Sequence, residues 1–271
     1  MNPNIIELDW TQVALAVALV AVVVGVSLAL SLGLTRSLLI ASVRTVLQLT
    51  LIGFVLTWVF SADRWYVVIG ILLVMTLVTG QAAVSRIKRR YRGVTLDAML
   101  AMGTTAWLMG AYGVFVVIQL HEQEGARWYD PQYTIPLLGM LLGNVVNGVS
   151  LGMNRFTSGL YERRDQVEAI LAMGGTRWEA ARDTLCEGVA AGLTPILNAM
   201  TIVGLVSLPG MMTGQLLAGA DPLQAVAYQI VIMFLIAVTA TLGTLGALLL
   251  AYRRLFNERS QFLVEKLRRL A

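Results

Sequence analysis

Residues 222–252 read PLQAVAYQIVIMFLIAVTATLGTLGALLLAY, a run without one acidic or basic side chain. A bilayer core takes about 20 predominantly apolar helical residues, with a range of about 17–25, so this run is long enough to cross it. Charge-free stretches of the same kind occupy 10–35, 45–62, 65–85, 98–120, 131–154 and 188–220. Composition agrees: hydrophobic residues make up 57% of the chain and charged residues 13%, against about 25% charged in soluble globular domains. The chain reads as an all-α, polytopic membrane helix bundle. Its longest connection, 155–187, is too short for an independent catalytic domain.

The residue counts exclude further functions. Cys186 and His121 are the only residues of their kinds, so neither an internal disulfide nor a histidine metal cluster can form. The residues before the first run carry Glu7 and Asp9 but no Lys or Arg, and the run exceeds a signal-peptide core, so no cleaved secretory signal is expected. A phosphate loop needs Gly-Lys-Ser/Thr. The two lysines, Lys88 and Lys266, follow Ile87 and Glu265, so any ATP used must be hydrolysed by another polypeptide. The formal charge of +4 reflects orientation in a membrane rather than affinity for nucleic acid.

Of the 20 Lys and Arg residues, all but Arg64 and Arg127 fall in 36–44, 86–92, 155–187 and 253–271. Basic residues collect on the cytoplasmic ends of membrane helices. These alternate connections therefore place the N-terminus outside and the C-terminus in the cytoplasm, with a single transmembrane domain over 1–271. Spans are expected at about 12–34, 45–62, 65–85, 98–120, 135–154, 188–208 and 222–252, the fifth beginning near Pro136. The outer connections carry Asp63 in one turn and Glu122, Glu124 and Asp130 in another. A helix over all of 188–220 would be about 50 Å long, beyond a hydrocarbon core of about 30 Å. Pro209-Gly210 is expected to break it after Leu208, leaving 209–220 as a return loop or half-helix. Asp221 as N-cap and Pro222 at the first helical position then restart the chain.

Polar and small residues inside the spans mark contact faces or pathways. The fifth span carries Gly139/Gly143 and Gly148/Gly152 as two G-x-x-x-G pairs, and aligns Asn144, Asn147 and Asn154 with Met140 in one stripe. Two readings stand: a buried helix held by Asn hydrogen bonds, or a helix lining a substrate pathway or dimer axis. Asn198 joins the pathway candidates, among in-membrane polar groups that also include Gln215 and Gln229. Met211 and Met212 in the broken segment either touch a soft metal ion or fill irregular gaps. No span holds an internal carboxylate, which disfavours proton antiport. Gly148-Val149-Ser150-Leu151-Gly152 matches a hydrolase nucleophile elbow, but it lies inside a span without the strand-turn-helix context.

The connection 155–187 holds Val167, Ile170, Leu171 and Gly174 at i, i+3, i+4 and i+7, the spacing of a short amphipathic helix. Gly174-Gly175 should end it, and Thr176 with Glu179 should cap the next helix reciprocally. Near the C-terminus, 255–270 reads as an interfacial amphipathic helix, with Phe262, Leu263, Leu267 and Leu270 toward lipid and Arg268 and Arg269 toward headgroups.

Glu168-Ala169 with Gly174 resembles the E-A-x-x-x-x-G loop of ABC-transporter permeases, although the Leu-Pro that usually closes that motif is absent. A closer resemblance is to the FetB-like (UPF0014) permeases, the bacterial iron-export permeases and their plant aluminium-tolerance relatives. It rests on Ile135-Pro136-Leu137-Leu138-Gly139-Met140 with Gly143-Asn144, and on Leu171-Ala172-Met173-Gly174-Gly175-Thr176. It rests most on the block from Thr201 to Gly214, which contains Leu208-Pro209-Gly210-Met211-Met212, followed by Ala218-Gly219-Ala220-Asp221-Pro222 and Tyr228-Gln229. The resemblance implies a permease of the cytoplasmic (inner) membrane, not itself an enzyme, which pairs as a homodimer with a separate ATP-binding subunit. Glu168, Ile170, Leu171, Gly174 and Gly175 would then form the dock for that subunit. The cargo it implies is a metal ion such as iron, although plant relatives are also linked with nucleotide-sugar transport. The near absence of His, Cys and buried carboxylate argues against a tight Fe²⁺ site. The alternative function is an ATP-independent channel or carrier for a small solute.

Overall fold

Asp221 accepts the backbone N–H of Gln224 at 3.0 Å and Pro222 follows it, so the last long helix begins where its N-terminal amides are best satisfied. The computed structural model describes residues 9–62, 64–120, 127–257 and 259–269. His121, Glu122 and Glu124, together with Asp63 and Leu270, lie outside them. The helices are α1 (Trp10–Ala29), α2 (Thr35–Ala62), α3 (Trp65–Ser85), α4 (Val94–Tyr112), α5 (Pro131–Glu162), α6 (Arg164–Ala172), α7 (Arg177–Ile202), α8 (Gly210–Leu217) and α9 (Pro222–Leu255). A short π-helical turn, Gly113–Val117, extends α4. Two dipeptide strands, β1 (Arg89–Arg90) and β2 (Arg268–Arg269), pair antiparallel. Among the described residues, seven helices are long and apolar enough to cross a membrane.

The chain forms two compact units. One contains α1, α2 and residues 215–220. Within it Thr35 donates to the buried Ser27 hydroxyl at 3.2 Å, fastening the connection between the two helices. The other unit holds α3–α7, the start of α8, α9 and the C-terminal segment. At its centre α5 packs against α3, α4, α7 and α9. Where α5 crosses α7, Gly148 and Gly152 face Gly192 and Gly188. A Cβ built on Gly192 would lie 2.7 Å from the Gly148 carbonyl oxygen, and one on Gly152 would lie 2.9 Å from that of Gly188. The two backbones touch, as small-residue pairs in membrane helices permit. Gly139 instead faces Met75, and Gly143 has open space beside it.

Several boundaries differ from the sequence expectations. The fifth helix starts at Pro131, capped by Asp130 through the N–H of Gln132, and Pro136 lies inside it. It also runs past 154 to Glu162, because Phe156 and Leu160 continue the buried face while Arg155 and Glu162 stay on the exposed side. A charge therefore marks where a helix leaves lipid, not where it stops. α2 likewise begins before its charge-free run, at Thr35, with Arg36 and Arg44 helical, whereas α1 stops at Ala29 ahead of a turn with Ser31 and Gly33 at positive φ. α7 starts at Arg177 and ends at Ile202, before Pro209 is reached. Gly204, at φ +80°, turns the chain and donates its N–H to the Ser207 carbonyl, so Pro209 opens α8 rather than closing α7.

The C-terminal stretch is not an amphipathic helix. Phe256 bridges to Phe262, Leu263 N–H bonds to the Leu255 carbonyl at 2.8 Å, a 3₁₀ turn spans Val264–Lys266, and β2 follows. Phe262 and Leu267 are buried in the protein, with Phe262 stacked on Phe256 at 5.2 Å. An apolar periodicity records that a face is covered, without recording whether lipid or protein covers it.

Candidate functional site

The α3–α4 connection of the larger unit brings its basic residues against α5 and the C-terminal segment. Arg86 donates to Asn147 Oδ1 at 2.7 Å, and the backbone N–H of Lys88 donates to Asn154 Oδ1 at 3.2 Å. The Arg89 guanidinium lies 3.4 Å over the Tyr161 ring, a cation–π contact. β1 pairs with β2 beside it, Arg89 opposite Arg269 and Arg90 opposite Arg268. Two of the three stripe asparagines are therefore engaged in holding the α3–α4 connection against α5. Asn144 differs: it is half-buried and donates to the Met140 carbonyl of its own helix at 2.8 Å, next to the open space at Gly143. Asn198 is exposed on α7.

Asp97 is a residue that the sequence pattern did not single out. It is 2% exposed, accepts from Tyr91 Oη at 2.8 Å and meets Arg254 Nε at 2.6 Å, tying the α3–α4 connection to the end of α9. Burial, reinforced by the Asp97 carboxylate, pushes the Tyr91 phenol far above its ordinary range, so it remains a donor. A signal was present: Asp97 is the only carboxylate in 86–120, between the basic cluster and the charge-free run that begins at 98. On α7, Glu187 receives both Arg155 and Arg163 of the α5 end at 2.8 Å each.

α6 sits at the same end. Val167 is buried in the core, and Ile170 and Leu171 pack half-buried against it. The helix closes with Gly174 at φ +87° and with the Gly175 N–H on the Ile170 carbonyl at 2.9 Å, a left-handed cap that glycine supplies without strain. Thr176 and Glu179 form the reciprocal box that starts α7. The apolar face of α6 is thus used internally, and the exposed surface at its C-terminal half is Glu168, Ala169, Ala172 and the following Met173, the last 81% exposed. Between α6 and the C-terminal segment lies a groove of about 650 Å³ lined by Glu168, Leu171, Phe262, Glu265 and Lys266 among others.

Toward the N-terminal end of α9 a second cavity, of about 400 Å³, lies between α7, the 203–208 turn, α8 and α9. Met212 lines it, whereas Met211 is half-buried outside the lining. Among the described residues no group of His, Cys, Asp and Glu is arranged to hold a metal ion.

The family model described as "Uncharacterised protein family (UPF0014)" matches residues 10–256. The chain belongs to the UPF0014 family. It is 39% identical over 264 residues, 97% of its own length and all of the relative's, to the UPF0014 membrane protein slr1647 of Synechocystis sp.. It is 31% identical over 257 residues, 95% of this chain and 96% of the other, to the probable iron export permease protein FetB of Escherichia coli. To the protein ALUMINUM SENSITIVE 3 of Arabidopsis thaliana it is 31% identical over 218 residues, 80% and 77% of the two chains. No solved structure matches it. This UPF0014 chain is a multi-pass membrane protein, and its Synechocystis and Escherichia coli relatives are named as a membrane protein and a probable permease.

Proposed function

We propose that this UPF0014 chain is the permease subunit of an ABC transporter that exports a metal ion such as iron, driven by a separate ATP-binding subunit. The observation that carries the reading is α6, a short helix closed by a left-handed glycine cap and joined through a capping box to α7. A helix fixed at both ends transmits displacement rather than absorbing it. Through α7 it reaches the glycine crossing with α5, the turn at 203–207 and the cavity beyond. The near full-length similarity to a protein named as a probable iron export permease supports the cargo class.

In this reading the basic end faces the cytoplasm, and the N-terminus lies outside. The ATPase docks on Glu168, Ala169, Ala172 and Met173, while Ile170, Leu171, Gly174 and Gly175 hold that surface in place. Two copies of the chain face two ATPase subunits. Asn144 and α8 lie beside the route near the two-fold axis, where unpaired backbone is tolerated against protein or water. ATP binds only the partner, so this subunit contributes conformational change and no bond chemistry. The test is co-purification from native membranes with a Met173→Cys cross-linking handle in a Cys186→Ser background. A Walker-motif ATPase cross-linked at 173 is the expected product. Recovery of the chain alone, with transport intact, would instead favour the ATP-independent carrier.

A further inference from the structure

The cavity of about 400 Å³ draws three methionines from three elements: Met200 of α7, Met212 of α8 and Met233 of α9. On α9 its wall is the stripe Val226, Gln229, Ile230, Met233 and Phe234, which is one helix face. Gln229 is 8% exposed and its Oε1 has no hydrogen-bond partner. A buried amide oxygen in a membrane span is normally satisfied, because hydrocarbon offers nothing in exchange for water. None of the lining side chains is charged.

We propose that this cavity is a cation site in which the thioethers of Met200, Met212 and Met233 and the Gln229 carbonyl oxygen take up a soft, weakly hydrated monovalent ion of the Cu(I)/Ag(I) class. Thioethers select such ions over hard divalent ones. The Phe234 ring in the wall favours a positive charge by its quadrupole. A site without a counter-charge holds its ion loosely, as a transport site must if the ion is to leave. Methionines serving only as filler would close the gap between these helices. Here the gap stays open and an acceptor is left facing no donor. The ion's role as cargo rests on the permease reading; its binding does not.

The test uses the purified full chain in nanodiscs with Ag⁺ as probe, in a Cys186→Ser background because the exposed thiol would itself capture silver. Equilibrium dialysis with elemental analysis should give one silver per chain that excess Mg²⁺ does not displace. Met200→Leu/Met212→Leu/Met233→Leu should weaken binding at least tenfold while keeping side-chain volume and unfolding midpoint. Gln229→Leu alone should weaken it several-fold, and the control Met75→Leu/Met99→Leu should leave it unchanged. Silver retained by the triple variant, lost equally in the control, or never bound above the background of the other methionines overturns the site. Binding is read without an ATPase, so its failure leaves the permease reading intact. Conversely, a chain that binds silver but recruits no ATPase keeps the cation site and loses the permease reading.

Discussion

A single methyl group at Gly192 should loosen the larger unit measurably. A Cβ there would lie 2.7 Å from the Gly148 carbonyl oxygen and 2.7 Å from Thr244 Cγ2. Ordinary C···O contacts begin at about 3.3 Å, so α5 and α7 must separate locally by roughly 0.6 Å. The neighbours cannot yield cheaply, because the Gly148 carbonyl is backbone and Thr244 is fully buried. Overpacking of this kind costs about 1–3 kcal/mol. That loss outweighs the gain of about 1 kcal/mol in helix propensity from replacing glycine by alanine. Gly143→Ala is the matched control, since nothing lies within 4 Å of its Cβ position; it keeps the propensity gain and should be neutral or stabilising. Unfolding in mixed micelles under increasing denaturing detergent, with tryptophan fluorescence as readout, should lower the midpoint for Gly192→Ala and not for Gly143→Ala. Gly148→Ala combined with Gly192→Ala should be less than additive, because both methyls enter the same gap. Equal midpoints for Gly192→Ala and Gly143→Ala would refute the close crossing.

Asp97→Asn removes the charge that meets Arg254 while leaving Tyr91 an acceptor; it should cost about 1–3 kcal/mol in the same unfolding assay, and Tyr91→Phe about 1 kcal/mol. Asn147→Leu should lower stability through loss of the Arg86 bond, whereas Asn144→Leu should leave stability within about 0.5 kcal/mol and impair transport; equal transport in both would return the stripe to packing alone. In a Cys186→Ser background, Gln132→Cys should react with impermeant reagents on intact cells and Arg90→Cys only after permeabilisation; external labelling at 90 would invert the orientation.

Charge-free runs made the helical class and the number of long apolar helices legible, because hydrocarbon enforces that pattern residue by residue. Helix ends were less legible. Arg36, Arg44 and Arg155 are helical yet charged; at Arg155 the buried Phe156 and Leu160 carry the helix past the charge-free run. Gly148 and Gly152 announced a close approach, but the matching Gly188 and Gly192 became meaningful only once α7 lay across α5. The Asn stripe is one face, as its spacing indicates; its division between anchors at Asn147 and Asn154 and a less engaged Asn144 depends on where the α3–α4 connection folds. Asp97 and the pairing of β1 with β2 join segments far apart in sequence. No local periodicity encodes such contacts. Gln229 and Met212 were visible as polar and sulfur-bearing residues, but the cavity that unites them forms only through the turn at Gly204.

The central claim is coupling of this UPF0014 chain to an external ATPase, and reconstituted transport tests it most directly. The chain and its co-purified ATPase, placed in proteoliposomes, should move metal ion only when ATP is hydrolysed. Gly174→Val, which forces a branched side chain into a position at φ +87°, should leave the ATPase bound and hydrolysing while metal flux falls at least tenfold. Metal flux that proceeds at the same rate without ATP, or that Gly174→Val leaves unchanged, would contradict the account.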